Sequence, residues 1–431
     1  MDFRSRRRFL QLTGIAGAGF LNGCRLLSKN NINAQVVVVG GGFAGATAAK
    51  YIRLLDANIK VILIEPKAQY ITCPGSNWLF ADLLKIENLT VNYQALSQQY
   101  GITVICDAVA RIDCEQKRLL LENQQSLAYD RLVLAPGIDF RWDTLEGYDQ
   151  ATAQVFPHAW QAGPQTLQLQ QQMQAMRNGD VALICVPAEP YRCPPGPYER
   201  ASMMAYWLQQ HKPKSKLLIL DAKTGFSKQK LFEAGWAKSF GYGTSNSIIE
   251  WHSLADNPLQ HLDVKTKTLS TYFGDKIQAQ VLNIIPPQQA GSIARQTGLT
   301  DASGWCPVNP LTSQSRIQEH IHIIGDAANY APIPKSAFAA NSEAKTCAMT
   351  VVSLLNQQPL PDAHWLNTCY SLITPQYGIS VAGVYKLNAE HTIEAVKGAG
   401  GLSSLKDPES SRLEAAYAQS VYQTLLKDSF S

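Results

Sequence analysis

The first strongly patterned stretch of the chain is an unbroken apolar run, Gln35 to Val39, without polar alternation. A strand buried on both faces, as in a parallel sheet, reads this way. It leads directly into Gly40-Gly41-Gly42-Phe43-Ala44-Gly45, then into the helix-forming stretch Ala46 to Leu55. A second apolar run, Lys60 to Ile64, ends at Glu65. Arg118 to Leu121 and Leu127 to Leu134 flank the polar Asn123-Gln124-Gln125, the pattern of a β-hairpin or meander. Further strand-like runs are Val181 to Val186, Lys216 to Leu220 with Asp221 at its end, Ile248 to Trp251, Val281 to Ile285 and Ile321 to Ile324. Leu413 to Leu426 has the spacing of an amphipathic helix. Strands alternating with helices predict an α/β fold with parallel sheets. No internal repeat is visible.

The glycine run is informative because of its flanks. Strand, G-x-G-x-x-G turn, helix, second strand and terminal acid form a dinucleotide-binding unit. Gly40 permits the tight turn, Gly42 lets the backbone approach a pyrophosphate, and Gly45 lets helix and strand pack closely. The helix N-terminus attracts the phosphates, and Glu65 is placed to take the ribose hydroxyls. A second unit of this kind is expected to open at Val181, but its glycine loop is missing. Pro187-Ala188-Glu189-Pro190-Tyr191-Arg192-Cys193-Pro194-Pro195-Gly196-Pro197 stands in its place. Proline supplies no N–H for a phosphate. The scaffold is retained while its nucleotide chemistry is lost, so no NAD is expected.

Composition narrows this picture. With 431 residues, two or three domains are expected. The net charge of +4 gives no case for nucleic-acid binding. Ser5-Arg6-Arg7-Arg8-Phe9-Leu10 and the short apolar stretch to Leu21 read as a twin-arginine export signal over residues 1–33, hence a periplasmic protein. Leu21-Asn22-Gly23-Cys24 has features of a lipoprotein site, so membrane attachment rests on lipidation of Cys24 alone. Nine cysteines are present, yet neither a Cys-x-x-Cys pair nor Cys-x-x-Cys-His occurs. No metal site and no haem on this chain follow from that. Cys106, Cys114, Cys185 and Cys347 lie in apolar surroundings and read as core thiols.

Two distant segments resemble the returning flavin motifs of flavoproteins with two dinucleotide domains: Leu132 to Gly137, including Ala135, and the strand ending in Gly325-Asp326. The resemblance implies a split FAD domain, with Asp326 at the ribityl chain or a phosphate. A more specific likeness comes from Tyr70-Ile71-Thr72-Cys73-Pro74-Gly75, Arg192-Cys193-Pro194-Pro195-Gly196-Pro197-Tyr198-Glu199-Arg200, Gly304-Trp305-Cys306-Pro307, Ile333-Pro334-Lys335-Ser336 and Asn367-Thr368-Cys369-Tyr370. In this order they resemble the flavoprotein subunit of flavocytochrome c sulfide dehydrogenase across nearly the whole mature chain. The resemblance implies FAD held covalently through Cys73, a redox disulfide between Cys193 and Cys369, and Glu199 in the same pocket. Lys335 is expected near the reduced flavin, and Cys306 supports the site without a catalytic role. Sulfide is then the substrate, and a separate c-type cytochrome subunit the electron acceptor in a heterodimer. The alternatives are a sulfide:quinone oxidoreductase and a non-catalytic flavoprotein that reactivates a sulfur-oxidation complex. Expected boundaries are 34–155 and 285–350 for the FAD domain, 156–284 for the degenerate NAD-like domain, and 351–431 for a C-terminal domain covering the flavin and offering an interface.

Overall fold

The computed structural model describes residues 34–404 and 408–431. The expected export signal and Cys24 lie outside the described residues. The valine run forms the middle of a five-stranded parallel sheet. Its order is Ile321–Ile323, Arg131–Leu134, Gln35–Val39, Lys60–Ile64 and Thr103–Ile105. Neighbours on both sides explain the absence of alternation, since Val36, Val37 and Val38 have no exposed surface. The helix Phe43–Leu55 crosses one face of this sheet. Its small residues Ala46, Ala48 and Ala49 are fully buried, and the long helix Ala337–Leu355 packs against it.

A second sheet, all parallel, follows the order Ile249–Ser253, Lys216–Asp221, Val181–Val186 and Val281–Ile284. Each sheet carries a three-stranded antiparallel meander. One is Val109–Asp113, Arg118–Leu121 and Ser126–Ala128; the other is Leu259–Asp263, Thr268–Thr271 and Lys276–Gln278. The backbone therefore repeats a unit that the sequence does not repeat. The strands Ile138–Phe140 and Gln288–Ala290 pair where the chain crosses between the units.

After the helix Ala337–Leu355 the chain forms a three-stranded antiparallel sheet, His364–Thr374, Tyr377–Leu387 and Ile393–Leu402. The helix Pro408–Phe430 follows and contains the amphipathic stretch expected there. Its C-terminal end is anchored on the first unit. Asn341 donates to Asp428 at 2.8 Å, Lys345 pairs with Asp428 at 2.6 Å, and Phe430 meets the Phe43 ring at 5.3 Å. Among the described residues, no helix is long and apolar enough to cross a membrane.

Candidate functional site

The glycine loop is shaped by close approach. Gly40 has φ +100°, and a Cβ there would meet the Ala135 carbonyl oxygen at 2.3 Å. A Cβ on Gly45 would lie 1.8 Å from the Gly40 carbonyl oxygen, so any larger residue separates helix from turn. Gly42 caps the helix Phe43–Leu55 without a side-chain hydrogen bond, and only Tyr70, at 3.8 Å, approaches its missing Cβ. The first N–H groups of the helix thus open on a cavity. Glu65 accepts from the Gly41 N–H at 2.8 Å and from the Lys67 N–H at 3.2 Å, bracing the loop.

That cavity, of about 840 Å³, is lined by Gly40, Gly42 and Glu65, by Ala135 and Gly137, and by Gly325 and Asp326. Cys73, Cys193, Glu199 and Cys369 line it too. Oδ1 of Asp326 is buried without a hydrogen-bond partner, and burial raises the affinity of this carboxyl for a proton. An uncapped helix N-terminus, an open glycine and an unpartnered carboxylate oxygen face one hollow. They match a dinucleotide's pyrophosphate and hydroxyls, so FAD fits these residues. A wider, more open hollow of about 1100 Å³ shares Lys67, Gln161, Ala162 and Pro164 with the first, but it is lined by no cysteine and none of the glycines of the loop.

The two sulfurs meet on this cavity. Cys193 sits on the proline-rich loop in a left-handed conformation, φ +57°, which is costly outside glycine. Its N–H donates to the Lys335 carbonyl at 2.8 Å, and its own carbonyl accepts from Gly196 N–H at 2.8 Å, where the helix Gly196–His211 begins. Cys369 comes from the strand His364–Thr374. Both are thiols here, and the two sulfurs lie within hydrogen-bonding reach of each other on the cavity wall. Their mutual hydrogen bond, followed by the Lys228 ammonium, lowers the Cys369 pKa, while the same bond together with burial raises that of Cys193. Glu199 ties three segments together: it accepts from Trp78 Nε1 at 3.1 Å, Asn77 Nδ2 at 3.1 Å and the Leu372 N–H at 3.0 Å.

Cys73 lies on the same wall, its sulfur 3.7 Å from the Trp160 carbonyl oxygen. Lys335 lies at the Gly325-Asp326 turn. Its ammonium donates to the carbonyls of Asp326 and Ala328, both at 2.8 Å, and covers the Trp305 ring at 3.9 Å. These carbonyls hold the ammonium against the backbone that carries Asp326. Cys306 is buried and pairs with Ala328 just beyond that turn. Cys185 and Cys347 are buried, and burial pushes both thiols up to about 12. Cys106 is exposed and Cys114 half-buried, so the core reading fails for Cys106. Its strand ends at the sheet edge, beside the Pro66 carbonyl at 3.3 Å.

Two residues without a predicted role belong to the site. Arg200 is fully buried on the cavity floor, bonded to Asn77, Asn283 and the carbonyls of His158 and Ala159. Lys228 is the other. Its signal in the sequence is nil, because it is one lysine among several in a polar loop. In the second unit, Asp221 stands where a ribose-binding acid would be, yet it is wholly buried and held by Tyr198, Trp251 and Lys223.

Three family models match in turn: "Pyridine nucleotide-disulphide oxidoreductase" at residues 34–173, "Sulfide dehydrogenase [flavocytochrome c] flavoprotein chain, central" at 166–286, and "Flavocytochrome c sulphide dehydrogenase, flavin-binding" at 361–430. A flavoprotein chain of sulfide dehydrogenase (flavocytochrome c) from Chlorobaculum thiosulfatiphilum is 63% identical over 43 residues, 10% of this chain and 90% of that sequence. The chain belongs to the flavocytochrome c sulfide dehydrogenase flavoprotein family. The flavin-binding model of this family spans the strand bearing Cys369 and the helix Pro408–Phe430, whose Tyr422 and Leu425 line the cavity. Over a longer reach, the mitochondrial sulfide:quinone oxidoreductase of Mus musculus is 23% identical over 382 residues, 84% of this chain and 80% of that protein. The sulfide:quinone oxidoreductase of Aquifex aeolicus superposes with a TM-score of 0.71 at 17% identity, covering 92% of each chain. The fold is thus that of FAD-dependent pyridine nucleotide-disulfide oxidoreductases, and FAD is the cofactor this flavoprotein family implies.

Proposed function

We propose that this chain is the flavoprotein of a sulfide:cytochrome c oxidoreductase, oxidising sulfide at a Cys193–Cys369 disulfide beside FAD. The observation that carries the reading is the meeting of these two sulfurs, from distant parts of the chain, on the cavity built by the glycine loop. Two thiols so placed close a disulfide by losing two electrons and two protons. Hydrosulfide reopens it by exchange, leaving a persulfide on one sulfur and a thiolate on the other. Bound FAD supplies a two-electron acceptor that can release electrons singly. Gly42 and the helix N-terminus hold its phosphates, and Asp326 its hydroxyls. Glu199 holds the Cys369 strand against the proline-rich loop through Leu372. No nicotinamide takes part in this reading, since a proline-rich loop replaces the glycines that would cradle its phosphates and Asp221 is occupied by its own neighbours.

The acceptor is a c-type cytochrome subunit, supported by the name of the matching family. The purified chain with sulfide is expected to reduce a soluble c-type cytochrome. Faster reduction of a short-chain quinone would favour the second reading, sulfide:quinone oxidoreductase, which the two long-reach relatives support. Flavin bleaching without turnover would favour the reactivating role. Cys73 holds FAD as a thioether in this reading. Intact mass under denaturing conditions is expected to include FAD, and Cys73→Ser to lose that added mass; an unmodified wild-type chain would refute the linkage. Export by the twin-arginine route and a periplasmic location complete the proposal, with a membrane anchor only through lipidated Cys24.

A further inference from the structure

Lys228 is buried, with 5% of its surface exposed. It begins the helix Gln229–Phe240 in a left-handed conformation, φ 63°. Burying an ammonium and straining a non-glycine backbone both cost stability, so the arrangement needs a compensating partner. The partners are on the reactive strand: Nζ donates to the Cys369 carbonyl at 3.1 Å and to Ser371 Oγ at 2.8 Å. The charged and titratable groups acting on this ammonium are Cys369, Glu199, Cys193 and, from the C-terminal helix, Glu414.

The surroundings of the two sulfurs are therefore unequal. The Lys228 ammonium is bonded to the Cys369 residue itself and to Ser371 beyond it, whereas the Cys193 backbone is held by the Lys335 carbonyl. The guanidinium groups of Arg192 and Arg200 also line the cavity, but Arg192 pairs with Asp326 and Arg200 is committed to Asn77, Asn283 and two carbonyls. The sulfur that departs as an anion is favoured where its charge is best compensated. A Cys193–Cys369 bond in this field is polarised toward Cys369.

We propose that Lys228 sets the direction in which the disulfide opens: hydrosulfide adds to the Cys193 sulfur, and the Cys369 sulfur leaves beside the Lys228 ammonium. The inference rests on the disulfide reading above. In the step, an S–S bond forms between hydrosulfide and Cys193 Sγ while the Cys193–Cys369 bond breaks. The electron pair of the broken bond stays on Cys369 Sγ, so nothing is oxidised or reduced overall until electrons leave for the flavin. Lys228 acts through Cys369 and is a positioning residue.

The test uses sulfite on the oxidised holoprotein, since sulfite opens a disulfide once and stops. It leaves a stable S-sulfonate on the attacked sulfur and a thiol on the other. After alkylation and digestion, mass spectrometry is expected to find S-sulfonate on Cys193 and alkylated Cys369 in at least about tenfold excess over the reverse. Equal amounts, or excess S-sulfonate on Cys369, would overturn the direction. A protein with no Cys193–Cys369 disulfide before treatment would instead remove the reading beneath it. Lys228→Met is expected to shrink the excess roughly 3- to 20-fold, and Lys228→Arg to retain most of it. An excess unchanged in Lys228→Met would overturn the role of Lys228, as would loss of the excess in a flavin-bound Lys228→Arg. Should Lys228→Met not fold, Lys228→Gln serves the same comparison.

Discussion

Replacing Cys193 or Cys369 by serine is expected to lower sulfide-dependent flavin reduction by about three orders of magnitude or more. A serine hydroxyl cannot form the sulfur–sulfur bond, and the remaining thiol has no partner to exchange with. The two residues act as a unit, so the double variant should be no worse than either single one. Flavin binding should survive, because neither side chain builds the glycine loop or the Gly325-Asp326 turn. Stopped-flow bleaching of the flavin by sulfide measures the effect. Either variant within tenfold of the parent would refute chemistry through this pair.

Arg200→Met is expected to cost about 3 kcal/mol or more of stability. The guanidinium donates to Asn77 Oδ1 at 3.1 Å, Asn283 Oδ1 at 2.8 Å, the His158 carbonyl at 2.9 Å and the Ala159 carbonyl at 2.6 Å. It also lies 4.9 Å from the Trp160 ring centre and 5.5 Å from that of Phe80. Methionine fills the volume but leaves three buried acceptors, Asn77 Oδ1, Asn283 Oδ1 and the Ala159 carbonyl, without the guanidinium, while the His158 carbonyl keeps its bond from Asn283 Nδ2. Lysine restores charge without the planar fork, so Arg200→Lys should recover only part of the loss. Thermal unfolding followed by circular dichroism is expected to drop by several degrees for Arg200→Met. A melting temperature unchanged within one degree would show that the buried guanidinium is not a structural tie.

The glycine turn was legible from sequence because its constraints are local. A Cβ at Gly45 would strike the Gly40 carbonyl, five residues back, so spacing alone reveals the geometry. The proline-rich loop can be read for the same reason, because the five prolines that interrupt its N–H groups are a property of the residue type. The C-terminal sheet was not legible. Its third strand, Ile393–Leu402, contains three glycines and is mostly half-buried or exposed, so it carries neither strong propensity nor clean alternation. Lys228 and Arg200 were missed for another reason: a charged side chain normally marks the surface, and only tertiary packing makes these two interior. For Lys335, charge can be read from sequence while direction cannot. Two nearby carbonyls decide its direction.

The reactive pair is cross-braced. The backbone N–H of Cys193, on the second unit, is held by the Lys335 carbonyl beyond the first unit's Gly325-Asp326 turn, while the Cys369 carbonyl is held by Lys228 of the second unit. A swing of one unit against the other would have to break the bond between the Cys193 N–H and the Lys335 carbonyl, while Lys228 keeps both sulfurs with the second unit. Turnover is therefore expected to need no hinge bending. An artificial covalent clamp between the units, placed away from the cavity, should leave the catalytic rate as it was.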